Sequence, residues 1–91
     1  MLILISYDVK EDKTRTKLAK RLLDYGPRVQ YSVFEADVKD VELAKLQQEL
    51  AKVDLQEDDS IRLYRLCESC RNKIIIYGSG KMTEDKKFYL A

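Results

Sequence analysis

Tyr7-Asp8-Val9 ends an almost unbroken apolar run, Leu2-Ile3-Leu4-Ile5-Ser6, and so places a carboxylate at the end of a strand. Taking such a group out of water is costly unless it meets a cation or a strong donor, which makes Asp8 the first candidate for chemistry. Its bland alternative is a turn or capping acid before the next helix. About twenty residues on, Gly26-Pro27-Arg28-Val29-Gln30-Tyr31-Ser32-Val33-Phe34-Glu35 puts an arginine and two aromatics on an extended stretch, after Arg15 and Arg21 in the intervening segment. The chain has no histidine, so the commonest general base and metal ligand at neutral pH is missing. Any reaction must therefore use carboxylate, tyrosine, thiol or metal-bound water.

These residues need elements to hold them. Residues 2 to 9 predict a central strand covered on both faces, with Leu2, Leu4, Ser6 and Asp8 on one side and Ile3, Ile5, Tyr7 and Val9 on the other. Asp12 or Thr14 can cap a helix to about Tyr25, stopped by Gly26-Pro27, with Leu18, Ala19, Leu22 and Leu23 on one face and Lys13, Lys17, Lys20, Arg21 and Asp24 on the other. Arg15 falls inside the apolar arc, one turn from the helix start, where it can meet Asp8, a phosphate, or both. Residues 28 to 38 read as extended, with no Gly or Asn-Gly turn to divide them. Asp40 caps a second helix to about Val53, with Leu43, Leu46, Leu50 and Val53 as its core stripe. The acidic loop 56 to 59 then leads to strands over 61 to 67 and 73 to 77, the second ended by Gly78-Ser79-Gly80. Strands alternating with two such helices predict an α/β fold, an α+β two-layer sandwich with both helices on one sheet face.

Ninety-one residues form one domain, 1 to 91, too small for a large core and ready to gain from oligomerisation. The tail Phe88-Tyr89-Leu90 would leave an apolar segment exposed on a monomer, so it is expected to dock on another surface. No stretch approaches the roughly 18 apolar residues of a membrane span, and the apolar start lacks a basic leader, so a soluble cytoplasmic protein is expected. The net charge of +1 hides an uneven layout. Residues 1 to 36 hold 7 basic and 5 acidic side chains, 37 to 59 hold 3 and 8, and 60 to 91 hold 7 and 3. Such a chain can carry a basic face for phosphates and an acidic one for a basic partner.

Cys67-Glu68-Ser69-Cys70 has redox spacing but reads as lying between two strands, whereas a thioredoxin-like pair opens a helix. One pair supplies half of a structural zinc site, which a dimer could complete. The expectation is reduced loop thiols.

In Tyr7-Asp8-Val9, the basic first helix, the 26 to 35 segment and Asp59-Ser60-Ile61-Arg62-Leu63-Tyr64-Arg65-Leu66, the sequence resembles the CRISPR-associated protein 2 family over most of its length. That resemblance implies a ferredoxin-like βαββαβ fold with an additional C-terminal strand. Residues 28 to 38 would then be two short strands or one bent strand. It further implies a symmetric dimer, with residues 84 to 91 crossing onto the partner protomer. The activity implied is metal-dependent endonuclease cleavage of RNA or DNA within spacer acquisition, a form of antiviral defence, and the partners are nucleic acid and an integrase subunit. Asp8 matches the family's metal-binding and catalytic aspartate, Tyr7, Arg15, Arg28 and Phe34 match assisting positions, and Gln30 and Ser32 belong to the same signature. Two such aspartates facing each other across a two-fold axis could hold one Mg²⁺, or Mn²⁺ in its place, through carboxylate and water. The arginines would clamp phosphate oxygens and an aromatic could stack on a base. The rival function is a non-catalytic DNA-binding scaffold that bridges integrase subunits, and a third is a toxin-like ribonuclease on the same fold. A conventional RNA-binding domain of this fold is disfavoured, because its aromatic signature is missing.

Overall fold

A computed structural model of the chain describes residues 1–83. In chain order the elements are β1 (Leu2–Asp8), α1 (Asp12–Leu22), β2 (Arg28–Gln30), β3 (Val33–Asp37), α2 (Asp40–Ala51), β4 (Ser60–Leu66) and a short α3 (Glu68–Arg71). The strands form one sheet in the order β2-β3-β1-β4, and every neighbouring pair is antiparallel. The connection through α1 skips over β3 and the one through α2 skips over β1. Two interleaved split βαβ units of this kind make the fold ferredoxin-like.

Alternation along the strands decides which side is core. Ile3, Ile5 and Tyr7 of β1 with Val9 just after it, and Phe34 and Ala36 of β3 with Val38 just after it, pack with Leu18, Ala19 and Leu22 of α1 and with Leu43 and Leu46 of α2. The opposite face is not covered by α1 or α2; at its Leu2 end, where Leu2 is buried, Arg71 of α3 and Thr83 lie against Asp37 and Glu35. Leu4 and Ser6 are half-buried on that face and Asp8 is exposed, so the expected cover on both faces of β1 is found on one. Two helices are enough to shield only one side of a four-stranded sheet.

α1 is three residues shorter than its periodicity predicts. Its last turn is closed by the amides of Tyr25 and Gly26 donating to the Leu22 carbonyl, at 2.9 and 3.2 Å. Glu11, rather than Asp12 or Thr14, occupies the N-cap position, and Leu23 at the C-cap turns outward to 58% exposure instead of joining the core stripe. Gly26 is dictated by space, because a Cβ there would lie 2.0 Å from the Glu35 carbonyl oxygen. That close approach lets the chain leave α1 and enter the sheet edge at once.

The 28 to 38 segment is two strands divided by a turn at Tyr31-Ser32, with an irregular register between Arg28 and Gln30. Among the described residues, positive φ occurs only at Asp58 and Gly78, so this turn uses none of the glycine or asparagine chemistry by which hairpins are read from sequence. In α2 the cap is Lys39, whose amide donates to the Glu42 carboxylate at 3.0 Å, and Asp40 is the first helical residue. Leu50 and Val53 pack at the margin of the core as the stripe predicted. The Tyr25 hydroxyl donates to Glu49 Oε2 at 2.6 Å and so ties the turn after α1 to α2. Burial, then the bond to that carboxylate, pushes the phenol up to about 12.

After β4 the chain does not form the strand expected over 73 to 77. Among the described residues this segment pairs with neither of the sheet's edge strands, β2 and β4. Ile75, Ile76 and Tyr77 are left 73%, 42% and 89% exposed. Thr83, by contrast, is 7% exposed and returns to the sheet, its hydroxyl donating to Glu35 at 2.6 Å. The tail 84 to 91 expected to dock on a partner lies outside the described residues. No helix among the described residues is long and apolar enough to cross a membrane.

Candidate functional site

Residues paired directly across an antiparallel ladder share a face, so the register assigns the uncovered side of the sheet. Leu4 is flanked there by Glu35 and Tyr64, Ser6 by Val33 and Arg62, and Asp8 by Ser60. Asp8 thus sits at the C-terminal end of a central strand, on the face not covered by α1 or α2. Its side chain is 67% exposed, and the cost of burial does not arise. Its partner is Lys10, whose Nζ donates to Oδ1 at 2.8 Å. The bond to Asp8 is the leading cause that holds the Lys10 ammonium above its ordinary range.

The loop that leaves Asp8 is fixed from two directions. The Lys10 amide donates to Asp59 Oδ1 at 3.1 Å, and the other oxygen of Asp59 accepts the Gln56 amide at 2.9 Å. Those backbone donors, Gln56 first, lower the Asp59 pKa. The acidic loop 56 to 59 is therefore a brace for the site, anchored where Asp58 takes a left-handed φ of 73°. Arg15 supplies the second brace. Its guanidinium donates to the carbonyls of Val9 at 3.0 Å and Lys10 at 3.2 Å, and pairs with Asp12. It reaches the end of β1 as its position predicts, but it holds the loop backbone and not the Asp8 carboxylate. The Asp12 hydrogen bond, with a smaller contribution from Tyr31, raises the Arg15 pKa.

Tyr7, Phe34 and Arg28 lie on the other side. Phe34 is 0% and Tyr7 5% exposed, with ring centroids 6.2 Å apart and planes inclined by 28°. Neither ring offers a face to a nucleobase, so the stacking role expected of an aromatic does not fall to Phe34. Its ring instead carries Arg28, whose Cζ lies 5.2 Å from the centroid, a cation–π contact that holds the guanidinium against the sheet edge. Arg28 is paired with Phe34 in the ladder and shares its face, not that of Asp8. Gln30 is exposed on β2, and the Ser32 carbonyl accepts the Tyr7 amide at 3.1 Å. Within one chain the fold does not gather Asp8, Tyr7, Arg15, Arg28 and Phe34 into one cluster.

Two groups of residues enter that sequence reasoning had passed over. Arg62 and Tyr64 lie exposed on the face of Asp8, with Arg62 Nη1 3.4 Å from the Tyr64 hydroxyl. Their signal was period-2 alternation in the strand after the acidic loop. Glu35 and Asp37 are both bound, Glu35 accepting the Thr83 hydroxyl at 2.6 Å. Asp37 accepts Arg71 Nη1 at 2.7 Å and the Met1 amine at 3.2 Å, while Arg71 also donates to the Thr83 carbonyl at 2.7 Å. Burial pushes the Asp37 carboxyl up, but the bonds from Arg71 and the terminal amine outweigh it and hold the pKa below the ordinary value. Nothing local in the sequence joins residues 1, 37, 71 and 83.

Among the described residues, no three His, Cys, Asp or Glu side chains come together to hold a metal ion. A single exposed carboxylate suits a hard divalent cation that keeps most of its waters, but one chain offers no closed cage.

The sequence matches the family profile for CRISPR associated protein Cas2 over residues 1–74. The chain belongs to that family. A relative from Chloroflexus aurantiacus, named CRISPR-associated endoribonuclease Cas2 3, is 43% identical over 90 residues, which cover 99% of this chain and 97% of that protein. Among solved structures, Streptococcus pyogenes Cas2 superposes with a TM-score of 0.72 at 34% identity, covering 86% of this chain and all of that one. A chain of a partial Cas6-RT-Cas1–Cas2 complex gives 0.70 at 35% identity, covering 82% and 88%. The fold described above is the one these solved structures share with this chain.

Proposed function

We propose that this protein is a metal-dependent endonuclease of CRISPR spacer acquisition, acting on RNA or DNA phosphodiester bonds as a symmetric homodimer. Relatives at this level of identity carry the name endoribonuclease, and a family member occurs in a complex with Cas1. The observation that carries the reading is Asp8, an exposed carboxylate at the end of a central strand on the uncovered sheet face, braced by Arg15 and Asp59 through the loop backbone and not consumed by the core.

Two copies that meet through their uncovered faces would bring two Asp8 side chains together. The exposed Ile75, Ile76 and Tyr77 and the tail 84 to 91 are the segments that would pack on the second copy. Asp8 from each protomer would hold Mg²⁺, or Mn²⁺ in its place, and Lys10 would turn from the carboxylate to a phosphate. A divalent cation there supplies Lewis-acid polarisation of the phosphodiester and lowers the pKa of a water. The chain's own contribution is positional. Arg15 and Asp59 fix the loop that carries Lys10 beside Asp8, while Arg62 and Lys10 present positive charge to backbone oxygens. Arg28, held on Phe34, is a phosphate contact on the opposite side of the edge. Tyr7 and Phe34 act as its support.

The deciding experiment is cleavage of labelled single-stranded RNA and duplex DNA by wild type and Asp8→Asn, with Mg²⁺, Mn²⁺ or EDTA. Metal-dependent cutting that the variant loses is expected; equal cutting by the variant excludes Asp8 as the ligand.

A second reading has its own support. With a lone acid per chain and no three-ligand cluster among the described residues, a scaffold that grips DNA and bridges integrase subunits needs no metal chemistry. Intact duplex binding without cleavage in any metal would favour it.

A further inference from the structure

Cys67 and Cys70 stand outside the site described above, and the structure changes their context. They do not lie in a loop between strands. Cys67 is the N-cap of α3 and Cys70 is its third residue, directly after β4. One helical turn separates them, the spacing at which side chains share a face. Both thiols are exposed and neither is in a disulfide. The Ser69 hydroxyl lies 3.2 Å from the Cys67 sulfur. The turn itself is held by the Arg71 amide donating to the Cys67 carbonyl at 2.8 Å.

We infer that Cys67 and Cys70 form a redox-active dithiol that closes reversibly to an intramolecular disulfide by exchange with a low-molecular-weight disulfide, Cys67 being the attacking sulfur. The turn that brings the two thiols onto one face affects them in opposite senses. The Ser69 hydroxyl first, then the Cys70 amide and thiol, bring the Cys67 pKa down to about 7, whereas Cys67 raises that of Cys70. In the first step the Cys67 thiolate attacks one sulfur of R–S–S–R, forms a mixed disulfide and releases RS⁻. Cys70 then gives its proton to that thiolate and attacks the Cys67 sulfur, expelling the second RS⁻. Two electrons pass to the small disulfide, which leaves as two thiols once the second RS⁻ takes from water the proton that Cys67 released on ionising. The ring so formed ends one residue before Arg71, the side chain that joins Asp37 to the Thr83 carbonyl, so the thiol state acts next to the contact holding Thr83 on the sheet.

The test uses the reduced full-length protein, oxidised glutathione and acid-quenched mass spectrometry. Wild type is expected to lose two hydrogens without gaining glutathione, and the Cys70→Ser variant to accumulate a single glutathione adduct on Cys67. At pH 7 a thiol with a pKa near 7 is about half thiolate, against about one part in a hundred at a pKa of 9. The weaker nucleophilicity of the more acidic thiol takes back roughly tenfold of that gain. The first attack should therefore be faster in Cys70→Ser than in Cys67→Ser, by up to about fivefold where the serine hydroxyl takes the place of the Cys70 thiol beside Cys67. The advantage should vanish in concentrated urea, which removes the folded contacts and separates a built pair from mere sequence proximity. Stable double adducts on wild type, intermolecular dimers as the main product, or equal rates for the two single variants in the folded state would each overturn the proposal.

Discussion

Asp37 gives the sharpest test of the contacts that close the end of the sheet. The carboxylate accepts Arg71 at 2.7 Å and the terminal amine at 3.2 Å, and the side chains of Asp37 and Arg71 are only 13% and 16% exposed. A hydrogen bond to a charged group contributes about 1.5–3 kcal/mol, and the low end applies where water still touches the pair. Arg71 keeps the Thr83 carbonyl after Asp37 is truncated, so it is not left as a fully unpaired charge. Asp37→Ala should therefore cost about 2 kcal/mol and Asp37→Asn about half of that, because the amide can still accept without its charge. In urea, with a slope of about 1 kcal/mol per molar for so small a chain, the midpoints should fall by about 2 M and 1 M. The acid limb is a second readout. The folded pKa of Asp37 lies below its unfolded value, so its stabilisation is present above about pH 4 and is lost as pH falls through the folded value. Both variants should lose less stability than wild type on acidification through that window. Wild-type midpoints at neutral pH, or an unchanged acid limb in Asp37→Ala, would refute the reasoning.

The remaining tests reach other parts of the fold. Gly26→Ala forces a methyl into the Glu35 carbonyl, 2.0 Å away and unable to rotate aside, and should cost about 3 kcal/mol in denaturant titration. Tyr25→Phe removes the bond to Glu49 at a cost of about 1.5 kcal/mol. Because the folded phenol is raised to about 12, that stabilisation is full below pH 10 and lost as pH rises through about 12; an alkaline unfolding series should show this decline in wild type and not in the variant. Asp8→Asn should leave the urea midpoint unchanged, since the Lys10 pair is exposed on both sides, and a large shift would mean that Asp8 serves the fold. Duplex binding, measured by anisotropy, should weaken steeply with added salt and show little preference among sequences; a flat salt response would count against phosphate contacts.

An exposed carboxylate beside an exposed lysine is a poor stabilising device, and this informs the functional argument. Selection for stability alone has little use for Asp8 at that place. The neighbouring braces are built differently, with Arg15 and Asp59 satisfying backbone groups that the loop would otherwise leave open. The loop is held firmly while the acid at its start is left accessible. A binding group that waits for a partner needs this combination.

Periodicity and the short motifs were enough to read β1, both longer helices, the core stripes Leu18, Ala19 and Leu22 and Leu43 and Leu46, and a two-layer α/β sandwich, because burial against one partner layer leaves its period in the residues themselves. The position of Asp8 at a strand end was legible for the same reason. What it meets was not. Lys10 rather than Arg15 on Asp8, Arg15 on the loop carbonyls, and Asp59 as a brace depend on where the loop from β1 passes the loop before β4, about fifty residues apart in the chain. The turn at Tyr31-Ser32 left no mark because its backbone needs no special residue, and the strand expected over 73 to 77 pairs with neither edge of the sheet, an outcome of tertiary pairing that the local pattern does not record. The four-residue α3 is too short to show a helical period, yet it converts Cys67 and Cys70 from loop thiols into a pair on one turn. The sequence determined which residues alternate and which must be glycine; only the tertiary structure decided which charges meet, because those contacts join segments whose local patterns carry no record of each other.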